Sequence, residues 1–334
     1  MNYTIIEGSC EDLSYIKEGT IDLVITSPPY YIVKDYQKNV ELCIGQEKSF
    51  YTYLDRMYNV FKEWYRVLKV GKYCIINIGD IIVDYHKFPI FAYYVLLMQK
   101  IGFFYQEDII WKKPEGMKTS IASKRFGIMM QNPYPRYYYP NNIYEHCLVF
   151  RKGIKPTYPI RKDENKVNIK NILQTYDSDV WEINPVQATQ LKHEAPFPEE
   201  LVRRFLELYT VSGELVLEPF FGSGTTMKVA RDMRRNCIGY EINTEYIKFG
   251  KERVGWNQRT LFGETRYLHL RGKKTYENNN QKITHQNIMD NIIKEVSESG
   301  FNEFSKAISE EKEEEKNPEQ ETINGIKSEN KDSG

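Results

Sequence analysis

Residues 50 to 69, "FYTYLDRMYNVFKEWYRVLK", carry Leu54, Met57, Phe61, Trp64 and Leu68 at steps of three and four, which predicts a helix with one apolar face. Gly71 follows as its expected stop, and "YCIINI", 73 to 78, reads as a strand. A second helix is predicted from Pro89 to Lys100, then a strand in "EDIIW". After "CLVF", 147 to 150, periodicity fades until Glu199. There "PEELVRRFLELY" predicts a helix, "GELVLEPF" a strand, 224 to 234 a further helix and "NCIGYEI" a further strand. Near the N-terminus, Asp22-Leu23-Val24-Ile25 is a short buried strand that runs straight into Thr26-Ser27-Pro28-Pro29-Tyr30. Strand and helix alternating in this way predict an α/β fold, an open and mostly parallel sheet covered by helices. Ligands of such a sheet sit at the carboxyl ends of its strands.

The chain of 334 residues can bury a large core, in one big domain or two smaller ones. The longest apolar run, "PIFAYYVLLM", is too short to span a bilayer, and no signal pattern precedes the first strand, so a cytoplasmic protein is expected. The five cysteines are scattered without metal-ligand spacing, and no metal site is expected. Formal net charge is zero, but from Glu310 onward nine acidic residues face four lysines, which leaves the body with 42 basic against 37 acidic residues. Residues 310–334 have little to bury and are expected to be a disordered acidic tail. Before them, Ile288, Ile292, Val296, Phe301, Phe304 and Ile308 predict a small helical appendage within 273–309.

Two stretches at strand ends carry chemistry. In "LVLEPFFGSGTTMKVA", 215 to 230, Gly222 and Gly224 let the backbone approach a ligand, and a helix starting near Thr225 offers unpaired amides. The full G-x-G-x-x-G spacing and the lysine of a phosphate loop are missing. Glu241 ends the next strand, where a carboxylate can accept hydrogen bonds from ribose hydroxyls. A ligand with a ribose and little phosphate fits, namely S-adenosyl-L-methionine; an ordinary glycine turn with a surface glutamate is the plain alternative. In the other stretch, Pro28 and Pro29 fix φ and donate no N–H, so the turn presents carbonyl acceptors. Ser27 adds a side-chain acceptor and Tyr30 a flat face, a set suited to an amine on a planar ring. Taken alone, Ser-Pro-Pro-Tyr also describes a plain turn with a core tyrosine.

Together, "TSPPY" and "FFGSG" resemble the amino-group DNA methyltransferases, in which a (D/N/S)-P-P-(Y/F/W) turn holds the target amino group and an F-x-G-x-G turn holds S-adenosyl-L-methionine. The likeness runs from about residue 5 to residue 255, through "EGSCEDLSYIKEGTIDLVITSPPY", "LKVGKYCIINIGD", "IYEHCLVFRKG" and "HEAPFPEELVRRFLELYTVSGELVLEPFFGSGTT". Catalytic turn before cofactor turn is the order of the beta group. The resemblance implies a Rossmann-like S-adenosyl-L-methionine-dependent methyltransferase fold with helices on both faces and a small target-recognition insertion. It divides the chain into a catalytic half, 1–154, a recognition region, 155–190, and a cofactor half, 191–272. It assigns catalysis to Ser27, Pro28, Pro29 and Tyr30, and cofactor binding to Phe197, Glu218, Phe220, Gly222, Gly224, Thr225 and Glu241. Where the family's lead-in usually reads G-D-C, this chain has Gly8-Ser9-Cys10, so either Ser9 makes the cofactor contact or Glu11 substitutes.

The implied reaction follows from the target. An exocyclic amino nitrogen is a poor nucleophile because its lone pair is delocalised into the ring; acceptors from Ser27 and the Pro28 carbonyl would localise that pair toward the sulfonium methyl. The base must leave the duplex and could stack on Tyr30. Ser-Pro-Pro-Tyr resembles the members that modify the cytosine N4 amino group, whereas adenine-N6 members more often carry Asp before the prolines. The implied partner is double-stranded DNA, with a cognate restriction endonuclease and a homodimer by analogy. Residues 112–143 interleave basic and aromatic side chains, and Lys112, Lys113, Lys124, Arg125, Arg136 and Tyr137 are the expected DNA contacts. A loop that packs its tyrosines on the body is the alternative.

Overall fold

The computed structural model describes residues 1–31, 43–47, 49–83, 86–114, 130–137, 140, 142–158, 166–167, 169–186, 198–258 and 265–272. The predicted appendage and tail, together with Phe197, Lys124 and Arg125, lie outside the described residues. The strands are β1 (Asn2–Glu7), β2 (Ile21–Thr26), β3 (Leu68–Ile78), β4 (Ile81–Val83), β5 (His86–Phe88), β6 (Phe103–Lys112), β7 (Tyr144–Lys152), β8 (Val180–Glu182), β9 (Leu215–Glu218), β10 (Asn236–Glu241) and β11 (Arg266–Arg271). The helices are α1 (Phe50–Val67), α2 (Ile90–Ile101), α3 (Ile169–Thr175), α4 (Glu199–Tyr209), α5 (Thr225–Asp232) and α6 (Thr244–Val254). Among the described residues, one sheet runs in the order β11-β1-β10-β9-β2-β3-β7-β6-β8, and β4 and β5 form a separate hairpin. Every strand of the large sheet is parallel to its neighbours except β7, which runs against both β3 and β6.

Helices cover both faces because successive strand residues point opposite ways. Leu23, Ile25, Cys147 and Val149 join Leu201, Phe205, Met227 and Val229 of α4 and α5 in one core. On the opposite face, His146 stacks on Phe91 of α2 at 4.1 Å, and the Lys152 ammonium reaches the end of α1. No helix among the described residues is long and apolar enough to cross a membrane.

Gly71 does not stop α1. The helix ends at Val67, Leu68 is already extended, and Lys152 donates to the orphaned carbonyls of Tyr65 at 2.6 Å and Leu68 at 2.9 Å. Gly71 instead sits inside β3 with φ +79°, where pairing with β2 jumps from Ile21↔Leu68 to Leu23↔Tyr73. A Cβ there would meet the Thr157 hydroxyl at 2.1 Å, so the glycine serves a bulge overlaid by residues 153–157.

Residues 169–183, where the sequence shows no periodicity, supply α3 and the edge strand β8. Trp181 on that strand is 2% exposed, lies 5.0 Å from the Phe205 ring, and has the Arg204 guanidinium 5.4 Å from its centroid. This part of the expected recognition region is thus built into the core of the sheet. Truncation of so large a buried ring leaves a cavity that a sheet edge cannot close. Trp181→Ala should cost about 3–5 kcal/mol, read as a lower midpoint in urea with an unchanged slope.

Candidate active site

The end of β2 and the end of β9 are tied together by one buried carboxyl group. Glu218, 4% exposed, accepts hydrogen bonds from the Thr26 hydroxyl, from the Thr226 hydroxyl at 2.6 Å and from the Phe220 amide at 3.1 Å. Burial raises its pKa to about 8, the three hydrogen bonds pull the other way, and nearby Glu241 adds to the rise. The strand that leads into Ser27-Pro28-Pro29-Tyr30 is thereby fastened to the strand that leads into the glycine turn.

Gly222 and Gly224 both have positive φ, +48° and +75°. The turn is held by Glu241, which accepts from the Gly222 amide at 2.8 Å and from the Asn243 amide at 2.9 Å. Burial raises the pKa of Glu241, opposed by these amides. The Ile242 amide acts on the same carboxyl group, and two oxygens with about four lone-pair sites still leave an acceptor for a ribose hydroxyl. Gly224 caps α5, and a Cβ on it would meet the Phe221 ring at 3.0 Å. Thr225 Oγ1 accepts from Arg253 at 2.6 Å, and Phe220 presents its ring edge to Trp64.

The other turn is held just as firmly. The Pro29 carbonyl accepts from the Tyr53 hydroxyl at 2.9 Å, which in turn is hydrogen-bonded to the Tyr94 hydroxyl. The sequence reading left all the carbonyls of this turn open to a ligand; Pro29's is engaged by α1 because Tyr53 lies fully buried beneath it. Among the described residues, the Ser27 hydroxyl makes no hydrogen bond. Tyr30 Oη accepts from the Gly79 amide at 3.1 Å and donates to Glu145 Oε2 at 3.2 Å.

Ser9 and Glu11 take different positions. Ser9 lines the cleft and donates to Glu11 at 3.0 Å, while Glu11 stands behind it in a bidentate pair with Arg56, at 3.0 and 2.7 Å. Arg56 also binds Glu47 at 2.8 Å, and Glu47 accepts from the Gly45 amide at 2.8 Å. Burial disfavours the Arg56 charge, but the two glutamates outweigh it and raise its pKa. Gly45 is pressed on the Ser-Pro-Pro-Tyr turn, since a Cβ on it would meet the Tyr30 carbonyl at 2.7 Å. Arg56, Tyr53, Glu47 and Glu145 were not singled out from the sequence. For Arg56 the signal was its place three residues after Tyr53 and four before Val60, on the buried face of α1.

The two turns open into one cleft of about 970 Å³, solvent mouth included, which Ser27–Tyr30, Glu218, Phe220, Gly222, Thr225 and Glu241 line together with Gly8–Cys10 and Cys43–Ile44. The expected DNA contacts are more dispersed. Lys112 pairs with Glu182 at 3.0 Å and Lys113 with Glu145 at 2.6 Å, while Arg136, at φ +78°, and Tyr137, 45% exposed, sit in an exposed turn.

The model of the N6/N4 methyltransferase family, described as DNA methylase, matches residues 21–252. The chain belongs to this family of DNA methyltransferases. The methyltransferase is 32% identical over 297 residues to the Type II methyltransferase M.MjaI of Methanocaldococcus jannaschii, covering 78% of this chain and 93% of that one. Its fold matches the DNA modification methylase TTHA0409 of Thermus thermophilus with a TM-score of 0.60, at 25% identity, over 80% of this chain and 99% of that chain. The same Thermus protein has also been solved in complex with S-adenosyl-L-methionine, with a TM-score of 0.62 at 24% identity, over 80% of this chain and 100% of that chain. The cytosine-N4-specific PvuII DNA methyltransferase shares the fold with a TM-score of 0.58 at 21% identity, over 89% of this chain and 93% of that chain.

Two outcomes follow from the buried charges. Between pH 4.5 and about 8, folded Glu218 holds a proton that the unfolded chain has released, so folding takes up a proton and stability falls as pH rises through this window, by about 1.4 kcal/mol per pH unit. Glu218→Gln should flatten that decline in the thermal midpoint; an unchanged pH profile would show that Glu218 is ionised in the native state. Arg56→Met should cost about 3–5 kcal/mol, because it leaves two carboxylates facing each other out of water. Adding Glu11→Gln and Glu47→Gln should recover part of that loss in the same denaturation assay.

Proposed function

We propose that this DNA methyltransferase transfers a methyl group from S-adenosyl-L-methionine to the N4 amino group of a cytosine flipped out of a short double-stranded site. The observation that carries the reading is the shared cleft: the Ser27 hydroxyl, unpaired among the described residues, and a glycine turn backed by Glu241 line the same space. The residues fit the cofactor. Glu241 keeps lone pairs for the ribose hydroxyls, Gly222 brings bare backbone to the wall, Phe220 supplies a ring, and Ser9 takes the position the family usually gives to an aspartate. Glu218 and Thr225 help to hold that wall, and Gly224 starts the helix behind it.

When bound, the cofactor supplies an electrophilic methyl on a sulfonium. The chain's own groups prepare the nucleophile. Ser27 Oγ and the Pro28 carbonyl accept hydrogen bonds from the two amino N–H groups, which draws the nitrogen lone pair out of conjugation; one of these protons leaves to solvent once the new N–C bond has formed, and Tyr30 stacks on the extruded ring. The Pro29 carbonyl, held by Tyr53, fixes the turn and takes no part. Ser-Pro-Pro-Tyr, with a neutral residue before the prolines, supports cytosine over adenine as the target.

The Type II names of the relatives support a role as the modification member of a restriction–modification pair with a cognate endonuclease as partner; a homodimer as the working form is proposed by analogy with the family. Lys112, Lys113, Arg136 and Tyr137, with Lys124 and Arg125, are the proposed DNA contacts, and residues 155–190 the proposed reader. Arg136 and Tyr137 share one exposed turn, which supports a contact with the duplex backbone.

Expression in a methylation-free host, digestion of its DNA and mass spectrometry of the nucleosides should show N4-methylcytosine; N6-methyladenine alone would overturn the choice of base. Ser27→Ala should slow single-turnover transfer by about 10²-fold or more with cofactor affinity kept, since its bond matters as the nitrogen pyramidalises. Gly222→Val should abolish cofactor binding in isothermal titration while DNA retention persists. A folded Gly222→Val protein with full cofactor affinity would move the cofactor elsewhere.

A further inference from the structure

Four adjacent strand ends contribute one group each to a continuous polar chain across the edge of the sheet. Tyr30 follows β2, Gly79 follows β3, Glu145 opens β7 and Lys113 follows β6. The Gly79 amide donates to Tyr30 Oη at 3.1 Å, Tyr30 Oη donates to Glu145 Oε2 at 3.2 Å, and Glu145 Oε1 accepts from Lys113 Nζ at 2.6 Å. The carboxylate and the ammonium are both largely buried, with side chains 16% and 13% exposed, and the ammonium lies 5.0 Å from the Trp111 ring centroid. Gly79 leaves room for the pair: a Cβ there would meet Glu145 Cγ at 3.1 Å and Tyr30 Oη at 3.5 Å.

We propose that Glu145, oriented by its ion pair with Lys113, is a positioning residue for the Tyr30 ring, and that the tyrosine hydroxyl rather than the ring alone is required for rapid methyl transfer. This rests on the reading that Tyr30 receives the flipped base. A ring held only at Cβ swings about χ1; a ring held also at its far end by two hydrogen bonds keeps its long axis fixed before the base arrives. That ordering is done in folding and does not weaken base capture. With one Glu145 oxygen on the Lys113 ammonium and the other on the Tyr30 hydroxyl, the carboxyl group is fixed at both ends, and the hydroxyl meets an oxygen whose direction is already set. Lys113 therefore acts here through Glu145, whatever phosphate it also meets.

The test is a double-mutant cycle on single-turnover transfer of tritiated methyl from S-adenosyl-L-methionine to DNA from a methylation-free host. Tyr30→Phe and Glu145→Ala should each slow transfer about tenfold, the loss of one hydrogen bond to a charged group. The double variant should be no slower than the slower of the two single variants, because the Tyr30–Glu145 contact that both changes break can be lost only once. Cofactor affinity by titration should stay within about twofold, a readout that general loosening of the site would move. Glu145→Gln, which keeps an acceptor for the hydroxyl but not the ion pair with Lys113, should give a rate between those of wild type and Glu145→Ala, and if Glu145→Ala does not fold a wild-type rate in Tyr30→Phe alone overturns the clamp. Independent, multiplying losses in the double variant, or wild-type rates in both Tyr30→Phe and Glu145→Ala, would overturn the clamp. If Tyr30→Ala is also as fast as wild type, the placement of the base at Tyr30 falls with it. A slow Tyr30→Ala beside a fast Tyr30→Phe sinks the clamp alone.

Discussion

The buried carboxyl group of Glu218 is where the two halves of the cleft become one object. Removing a carboxyl group from water is costly, and the cost is offset only if its oxygens are used. Here they are used by donors from three places: Thr26 at the end of β2, Thr226 in the first turn of α5, and the Phe220 amide of the glycine turn. Any sliding of β2 against β9 breaks one of these bonds and leaves a polar atom bare in the core. The distance from Ser27 to Gly222 is therefore fixed by hydrogen-bond satisfaction as much as by the pairing of Leu23 with Val216 and Val24 with Leu217. A reaction that must align a base and a cofactor in line needs such a fixed separation.

Around that knot, hydrogen bonds are distributed selectively. The Pro29 carbonyl, the Tyr30 hydroxyl, both Glu241 oxygens and both Glu11 oxygens all have partners from the fold. Ser27, among the described residues, does not. A rigid frame with an unengaged acceptor at its mouth is preorganised for a donor that comes from outside. Arg56 extends the frame to the wall formed by residues 43–47, since Glu47 and Gly45 follow its guanidinium and Gly45 abuts the Ser-Pro-Pro-Tyr turn.

The sequence made the two turns and the alternation of strand and helix legible, because Pro-Pro and Gly-x-Gly constrain the backbone wherever they occur and because buried parallel strands are apolar throughout. It hid what depends on pairing at a distance. Gly71 looks like a helix stop until β2 is laid beside it and the bulge appears. Residues 169–183 carry too little apolar periodicity to announce β8, whose register is set by β6 and whose buried ring, Trp181, packs on α4. β11 is an edge strand with mostly exposed side chains, so its pattern has no buried face to reveal. Lys152 and Arg151 read as basic surface, yet the first caps α1 and the second binds the carbonyls of Gly153 and Ile154. A charge count cannot separate a lysine for phosphate from a lysine for a helix end.

The reversed direction of β7 has a functional consequence. In a sheet whose strands all ran one way, the first residues of β7 would lie at the edge opposite the cleft, a full strand length from Tyr30. Because β7 runs against β3 and β6, Ile78 faces His146 and Lys112 faces Tyr144, so the start of β7 meets the ends of its neighbours. Glu145 is delivered to Tyr30 by that reversal, and so are both ends of the segment between β6 and β7, where the Lys113 amide donates to the Ile143 carbonyl at 2.7 Å. That segment, rich in lysine, arginine and tyrosine, leaves the sheet and returns to it beside the cleft. An antiparallel strand thus lets one continuous chain brace the Ser-Pro-Pro-Tyr turn and begin and end its basic, aromatic excursion at the same edge, which a parallel connection through a covering helix would have moved to the far side of the sheet.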